Sequence, residues 1–261
     1  MLNIPGSYST NATNLTVQVT STEMYGGFTA STSSIVMLKA SYTTVDITTT
    51  ASGNYTGSSA SEYIQGGAGD NIINGANGNN IINGGAGNDT ITTGSGSDII
   101  YGGSGNDIIS SGSGNDRIYG GAGNDIMKGG EAGENFVDVF VWNLGDQGVA
   151  GTPAVDTIQN FSTAAAGNNG IGGDVLDLRD LLQGESVGAS NGAGNLVDFL
   201  HFEVSGGNTV IHISHTGGFG ADSHAVGSSF TSGATTQQIV LEGVNLQSAH
   251  CTVQNQSLWA R

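Results

Sequence analysis

Between Gly66 and Lys128 one inward-facing apolar position returns every nine residues, as Ile73, Ile82, Ile91, Ile100, Ile109, Ile118 and Met127. That spacing matches neither a 3.6-residue helical period nor a long alternating strand, so it predicts one tight turn and one short strand per unit. The units read GGAGDNIIN, GANGNNIIN, GGAGNDTIT, TGSGSDIIY, GGSGNDIIS, SGSGNDRIY and GGAGNDIMK, seven copies in phase with no insertion. Glycines at positions 1, 2 and 4 permit the positive φ of a turn, and position 6 offers a side-chain oxygen. Positions 7 to 9 extend the backbone, and alternation sends position 8 inward. A single unit buries too little to stand alone, so units stack two to a coil. The expected fold class is all-β, a right-handed parallel β-roll (solenoid) with β-rich N- and C-terminal caps.

Stacking sets the position-6 oxygens of alternate units above one another, about 4.8 Å apart. The two columns are Asn71, Asp89, Asp107, Asp125 and Asn80, Asp98, Asp116. Bare carboxylates at that distance repel by roughly 3.5 kcal/mol at an effective dielectric of about 20. The chain supplies little compensation: it has 5 Lys plus Arg against 22 Asp plus Glu, and only Arg117 and Lys128 lie within the array. A hard divalent cation with flexible oxygen coordination fits, completed by carbonyls of the glycine turns, which favours Ca²⁺ over Mg²⁺. The glycines that would shape these turns are Gly66, Gly84, Gly85, Gly87, Gly94, Gly96, Gly102, Gly103, Gly105, Gly112, Gly114, Gly120, Gly121 and Gly123. The alternative is a metal-free Asn/Gly solenoid.

The array extends upstream in weakened form. GSSASEYIQ (57–65) and TTTASGNYT (48–56) keep Ile64 and Tyr55 at the inward position but lose the turn glycines, so they are expected to be calcium-free coils. Residues 14–20 alternate and 34–47 are rich in β-branched residues, which reads as strands capping the open edge of the roll. Position 7 points outward yet carries Ile72, Ile81, Ile99, Ile108 and Ile126. One expectation is that flanking chain covers the face bearing Ile72, Ile108 and Ile126; the other is ordinary β-propensity. The domain reading is 1–56 as an N-terminal β-cap or the end of a preceding region, 57–135 as the roll, and 136–261 as a C-terminal β domain.

The repeats resemble the RTX nonapeptide repeats of type I secreted bacterial proteins, G-G-x-G-x-D-x-U-x. The resemblance implies Asp89, Asp98, Asp107, Asp116 and Asp125 as side-chain calcium ligands. Asn71 and Asn80 depart from the pattern, so their sites should be weaker or partly built from Asp70. GGEAGENFVDVFVW (129–142) is similar to the passage that follows such repeats, with Asp138 in the Asp position and 131–135 as a small insertion. VDTIQNFS (155–162) and GGDVLDLRDLL (172–182) resemble the C-terminal type I secretion domain of large RTX adhesins, a likeness covering most of 130–250. Within it, VLDLRDLLQG predicts an extended start and then a short helix with Asp180 as N-cap. LVDFLHFEV, NTVIHIS and QQIVLEGV predict strands. Asp156, Asp174 and Asp177 could hold one more calcium or stabilise turns.

Composition bears on partners and location. A net charge of −17 excludes polyanions such as nucleic acid. One cysteine, Cys251, excludes an intramolecular disulfide, so calcium takes the stapling role. No apolar run reaches 18 residues, and MLNIPGSYST lacks the features of a Sec signal, which points to type I export or a fragment. The final HCTVQNQSLWAR is not the apolar, acidic tail such export implies. The resulting expectation is a non-enzymatic, monomeric module at the C-terminal end of a secreted, cell-surface RTX adhesin. Its partners are calcium and the type I secretion machinery.

Two rival functions compete with this expectation. An enzyme such as an RTX lipase would need a nucleophile, but GESVG around Ser186 is followed by the loop GASNGAGN rather than a helix. His212 and His215 sit an odd three apart in a strand, and His201, His224 and His250 have no partner at ligand spacing. Ice or glycan binding would use outward rows of small polar side chains. Position 5 offers Asp70, Asn79, Asn88, Ser97, Asn106, Asn115 and Asn124, but position 3 has no threonine.

Overall fold

The computed structural model describes residues 15–18, 35–38, 43–46, 53–131, 135–163, 173–183, 198–219 and 232–246. Nine-residue units place successive strands on opposite sides of a thin solenoid. One sheet orders β3 (Thr43–Asp46), β5 (Glu62–Gln65), β7 (Ile81–Ala86), β9 (Ile99–Ser104), β11 (Arg117–Ala122), β13 (Val139–Val141) and β15 (Val175–Asp177). The other orders β4 (Asn54–Thr56), β6 (Ile72–Asn74), β8 (Thr90–Thr92), β10 (Ile108–Ser110), β12 (Ile126–Lys128) and β14 (Ala154–Gln159). It then adds β18 (Gln237–Leu241), β17 (Asn208–Ile213) and β16 (Leu200–Ser205). Register is parallel with an 18-residue offset through the repeats, for example Ile73 on Ile91 and Ile82 on Ile100.

Position 8 builds the core. Ile64, Ile73, Ile82, Ile91, Ile100, Ile109, Ile118 and Met127 are all buried, and Phe140 and Ile158 continue the two rows beyond the repeats. Tyr55 and Val45 extend them upstream as partly buried members, so the stacked strands begin before the clean motif. In the remaining N-terminal part, β1 (Leu15–Gln18) and β2 (Ile35–Leu38) pair only with each other, antiparallel.

At the other end the predicted strands form, but the direction changes. β18 runs parallel to β14, then β17 and β16 turn back antiparallel, closing the sheet with hairpin pairing. Among the described residues the helix expected after β15 does not appear. Leu181 and Leu182 donate to the Leu178 carbonyl in a single turn, and Gln183 N–H donates to His215 O, which ties the chain to the segment after β17. Two adjacent leucines buried on one turn serve the core without a helix.

The expectation that flanking chain covers the outer face is also not met. Ile72, Ile108 and Ile126 are 56%, 51% and 40% exposed. They stand in one row, Ile126 beside Ile108 and Thr90 between Ile108 and Ile72, where β-branched residues suit the pleat whether or not they are buried. Among the described residues no helix is long and apolar enough to cross a membrane. Ser186, Cys251, His224 and His250 lie outside the described residues.

Candidate metal centre

Each turn ends at position 6, and one oxygen of that side chain has a fixed duty. On one edge the backbone N–H of Asn71 donates to Asp89 Oδ1 (2.8 Å), Asp89 to Asp107 (2.7 Å) and Asp107 to Asp125 (2.8 Å). On the opposite edge Asn80 donates to Asp98 Oδ1 (2.6 Å), Asp98 to Asp116 (2.8 Å) and Asp116 to Asp138 (2.9 Å). Asp89, Asp98, Asp107, Asp116 and Asp125 are thus brought into two columns, and Asp138 rejoins its column despite an offset of 22 rather than 18 residues. The four extra residues fall between Gly129 and Asp138, where the insertion was expected.

The second oxygen has no such duty. Asp89, Asp98, Asp107 and Asp125 are each 1% exposed, and their Oδ2 atoms lack a hydrogen-bond partner. A buried carboxylate oxygen without a donor is costly. Burial accordingly pushes all four carboxyls up, Asp107 to about 6 and Asp125 to about 8, the latter with the neighbouring Asp156 charge as second cause. The turn is shaped around these oxygens. A Cβ on Gly84 would stand 2.3 Å from Asp89 Oδ2 and 2.6 Å from Gly102 O; on Gly102 it would stand 2.4 Å from Asp107 Oδ2 and 2.5 Å from Gly120 O. Only glycine leaves this cleft, in which a carboxylate oxygen and a carbonyl oxygen of the next coil converge. Gly103 (φ 118°) and Gly105 (φ 127°) then carry the backbone through the left-handed region.

A hard cation fits this donor set. Among the described residues no three His, Cys, Asp or Glu side chains converge on one point. Each turn therefore offers one carboxylate, and the rest of an ion's shell falls to carbonyls, the all-oxygen coordination calcium accepts.

The asparagine turns are built differently. Asn71 Oδ1 accepts from Gly53 N–H (3.2 Å) and Asn80 Oδ1 from Glu62 N–H (3.0 Å), which fixes both amide orientations. The NH₂ group then occupies the place of Oδ2. Asn71 Nδ2 donates to Gly69 O, and Asn80 Nδ2 to Gly75 O (3.2 Å) and Gly78 O (3.1 Å). Amide hydrogens here meet the carbonyls of their own turns. Asp70 lies at exposed position 5, outside the column, with Oδ1 accepting from Asn88 N–H (2.7 Å).

Position 5 forms its own ladder. Asn106 N–H donates to Asn88 Oδ1 (2.7 Å), Asn124 to Asn106 (2.8 Å) and Val155 to Asn124 (2.7 Å). These carbonyl groups are spent on stacking.

Beyond the repeats Asp156 and Asp174 fall into different columns and Asp177 into neither. Asp156 receives Asp125 N–H on Oδ1 (2.8 Å), while Oδ2 accepts from Trp142 Nε1 (2.7 Å) and Gln237 Nε2 (2.8 Å). Asp174 receives Asp138 N–H (3.0 Å) and Ser162 N–H (2.8 Å). Asp177 pairs with Arg179 (2.6 Å) and Arg117 (3.2 Å), and the Arg179 guanidinium holds it below the ordinary carboxylate range. The three share no site. Sequence spacing also missed His201, which the β16–β17 register sets opposite His212, ring centroids 5.8 Å apart. No periodic signal marks a cross-strand neighbour.

A family model described as RTX calcium-binding nonapeptide repeat (4 copies) matches residues 56–91 and 92–127. No curated protein gives a significant match to the chain. Matched residues, glycine clefts and buried carboxylates coincide, so this part of the chain folds as a β-roll similar to RTX repeats, and Ca²⁺ is its expected ion.

Proposed function

We propose that the protein is a calcium-dependent folding and type I export module of a larger secreted, cell-surface adhesin. Its boundaries would be a β-cap over 1–56, the roll over 57–135 and a capping domain over 136–261. Repeats of this kind are typical of secreted RTX proteins and are structural rather than catalytic. The observation that carries the reading is the column of Asp89, Asp107 and Asp125, whose buried Oδ2 atoms lack a donor and face the clefts at Gly84, Gly102 and Gly120. The calcium ligands are Asp89, Asp98, Asp107, Asp116 and Asp125 with carbonyls of the glycine turns, while Asn71, Asn80 and Asp70 mark the weaker first coils.

Cytosolic calcium lies far below the roughly 10⁻⁴ to 10⁻³ M affinities of extracellular modules, so the chain stays loose enough there to thread a secretion channel. Outside, each site loaded at 100 times its dissociation constant adds about 2.7 kcal/mol, and several sites together rival the stability of a domain. The exported module works as a monomeric part of its parent chain. Circular dichroism over a calcium titration tests this: a cooperative gain of β-structure is expected, and identical spectra with and without calcium would overturn it.

A further inference from the structure

We infer that the turn Gly57–Glu62, whose sequence has lost the repeat's second and fourth glycines, is a further cation site, with Glu62 in place of the missing aspartate. The inference rests on the calcium reading of the roll and extends it by one coil. Glu62 lies at position 6 of the degenerate unit, five residues after Gly57, as Asp89 follows Gly84. It is 3% exposed, and its Oε2 has no hydrogen-bond partner. A Cβ on Gly57 would stand 2.3 Å from Glu62 Oε2 and 2.7 Å from Gly75 O, against 2.3 and 2.6 Å for the same pair of atoms at Gly84. The carboxylate and the carbonyl of the next coil therefore converge as they do at the aspartate turns, with the difference that Gly75 O also accepts from Asn80 Nδ2 (3.2 Å) and offers a cation its remaining lone pair.

The turn reaches this geometry by another route. None of Ser58, Ser59 and Ala60 has a positive φ. Instead Ser58 grips the other carboxylate oxygen, Oε1, through its backbone N–H (3.2 Å) and its hydroxyl (2.8 Å), aiming Oε2 into the Gly57 cleft. The extra methylene of glutamate makes up for the altered backbone. No Lys or Arg lies between residues 40 and 116 in the sequence, so no nearby stretch of the roll supplies a cationic side chain. The ligand class is a hard divalent cation bound through oxygen, and Ca²⁺ suits the irregular shell of carboxylate and carbonyls better than Mg²⁺. The competing occupant is the Tyr55 phenol, which is pushed up by burial, then by the Glu62 charge and by the Glu62 carboxylate as an acceptor for its hydroxyl.

The experiment counts calcium bound to the whole chain by native mass spectrometry at saturating calcium, for the parent and for Glu62→Gln and Tyr55→Phe. Glutamine keeps the Ser58 contacts and can turn an amide N–H toward Gly75 O, as Asn80 does. The expected result is one ion fewer in Glu62→Gln, an unchanged count in Tyr55→Phe, and a Glu62→Gln chain that is more structured than the parent without calcium. An unchanged count in Glu62→Gln overturns the inference. So does a loss of calcium-free structure in Tyr55→Phe with the count of Glu62→Gln unaltered, which would give the carboxylate to the phenol. A parent chain that binds no calcium would instead sink the broader reading.

Discussion

The two edges of the roll carry the same repeat and solve the same problem differently. Along the edge of Asp89, Asp107 and Asp125, position 1 is always glycine, at Gly66, Gly84, Gly102 and Gly120. The strands β7, β9 and β11 run on into this turn, pairing Gly85 with Gly103 and Gly103 with Gly121. Along the edge of Asp98 and Asp116, position 1 is Thr93 and Ser111, and their hydroxyls donate to Ser111 O and Gly129 O (2.6 Å). That hydroxyl ladder ties successive turns together on this edge, whereas position 1 of the glycine edge has no hydroxyl to give. On the glycine edge burial pushes Asp107 up to about 6 and Asp125 up to about 8. A repeat read as one motif therefore yields one edge that leans on metal and another that partly supports itself.

The largest test of this difference removes ions edge by edge. Asp107→Ala with Asp125→Ala should raise the calcium needed for half-folding more than Asp98→Ala with Asp116→Ala, each pair removing on the order of 5 kcal/mol at saturating calcium. Equal midpoints in parallel calcium titrations would erase the distinction. Chelation of the unaltered chain should abolish the cooperative melt on both edges, as calorimetry with EDTA would record.

Acidity acts next, with opposite sign in the two states. Without metal, Asp107 and Asp125 bind a proton more tightly folded than unfolded, near 6 and 8 against 3.8. Their contribution to stability is thus present at low pH and lost as pH rises through that window. The metal-free chain should accordingly be more ordered at pH 5 than at pH 9. With calcium bound the carboxylates are ionised, and acidification should raise the calcium midpoint. Trp142 fluorescence followed over pH with and without calcium distinguishes the two slopes.

Backbone changes come third. Gly103→Ala would place a Cβ 2.0 Å from Gly85 O at a positive φ, a cost of roughly 3–5 kcal/mol. Ser111→Gly on the other edge forfeits one hydroxyl bond, about 1 kcal/mol. Urea unfolding at saturating calcium would rank them. Between these lies Trp142→Phe, which takes one of two donors from Asp156 Oδ2 and should cost about 1.5–3 kcal/mol without lowering the calcium count.

Much of the roll was legible because its information is local and periodic. Ile64 through Met127 announced the inward row, and the columns of Asp89, Asp107, Asp125 and of Asp98, Asp116 followed from counting nine residues at a time. Tyr55 and Ile64 extended the pattern correctly. Glu62 was passed over because its turn had lost its glycines, although the five-residue step from Gly57 was preserved. Asp156 and Asp174 stand out in the sequence, but the columns they join do not. Their offsets of 31 and 36 residues from the preceding acids break the count, and only the strand pairing restores it.

By itself the sequence determined the strand spacing, the isoleucine core and the need for positive charge between stacked acids, since each depends on residues a fixed step apart. Tertiary structure alone decided which carboxylate oxygens find donors. Trp142 and Gln237 close one column at Asp156, Asn71 and Asn80 turn amides toward their own carbonyls, and the outer Ile72, Ile108 and Ile126 stay uncovered. The physical reason is range. Side-chain direction along a strand is set by the backbone within a unit, whereas satisfaction of a buried oxygen depends on neighbours brought together from as many as 81 residues away.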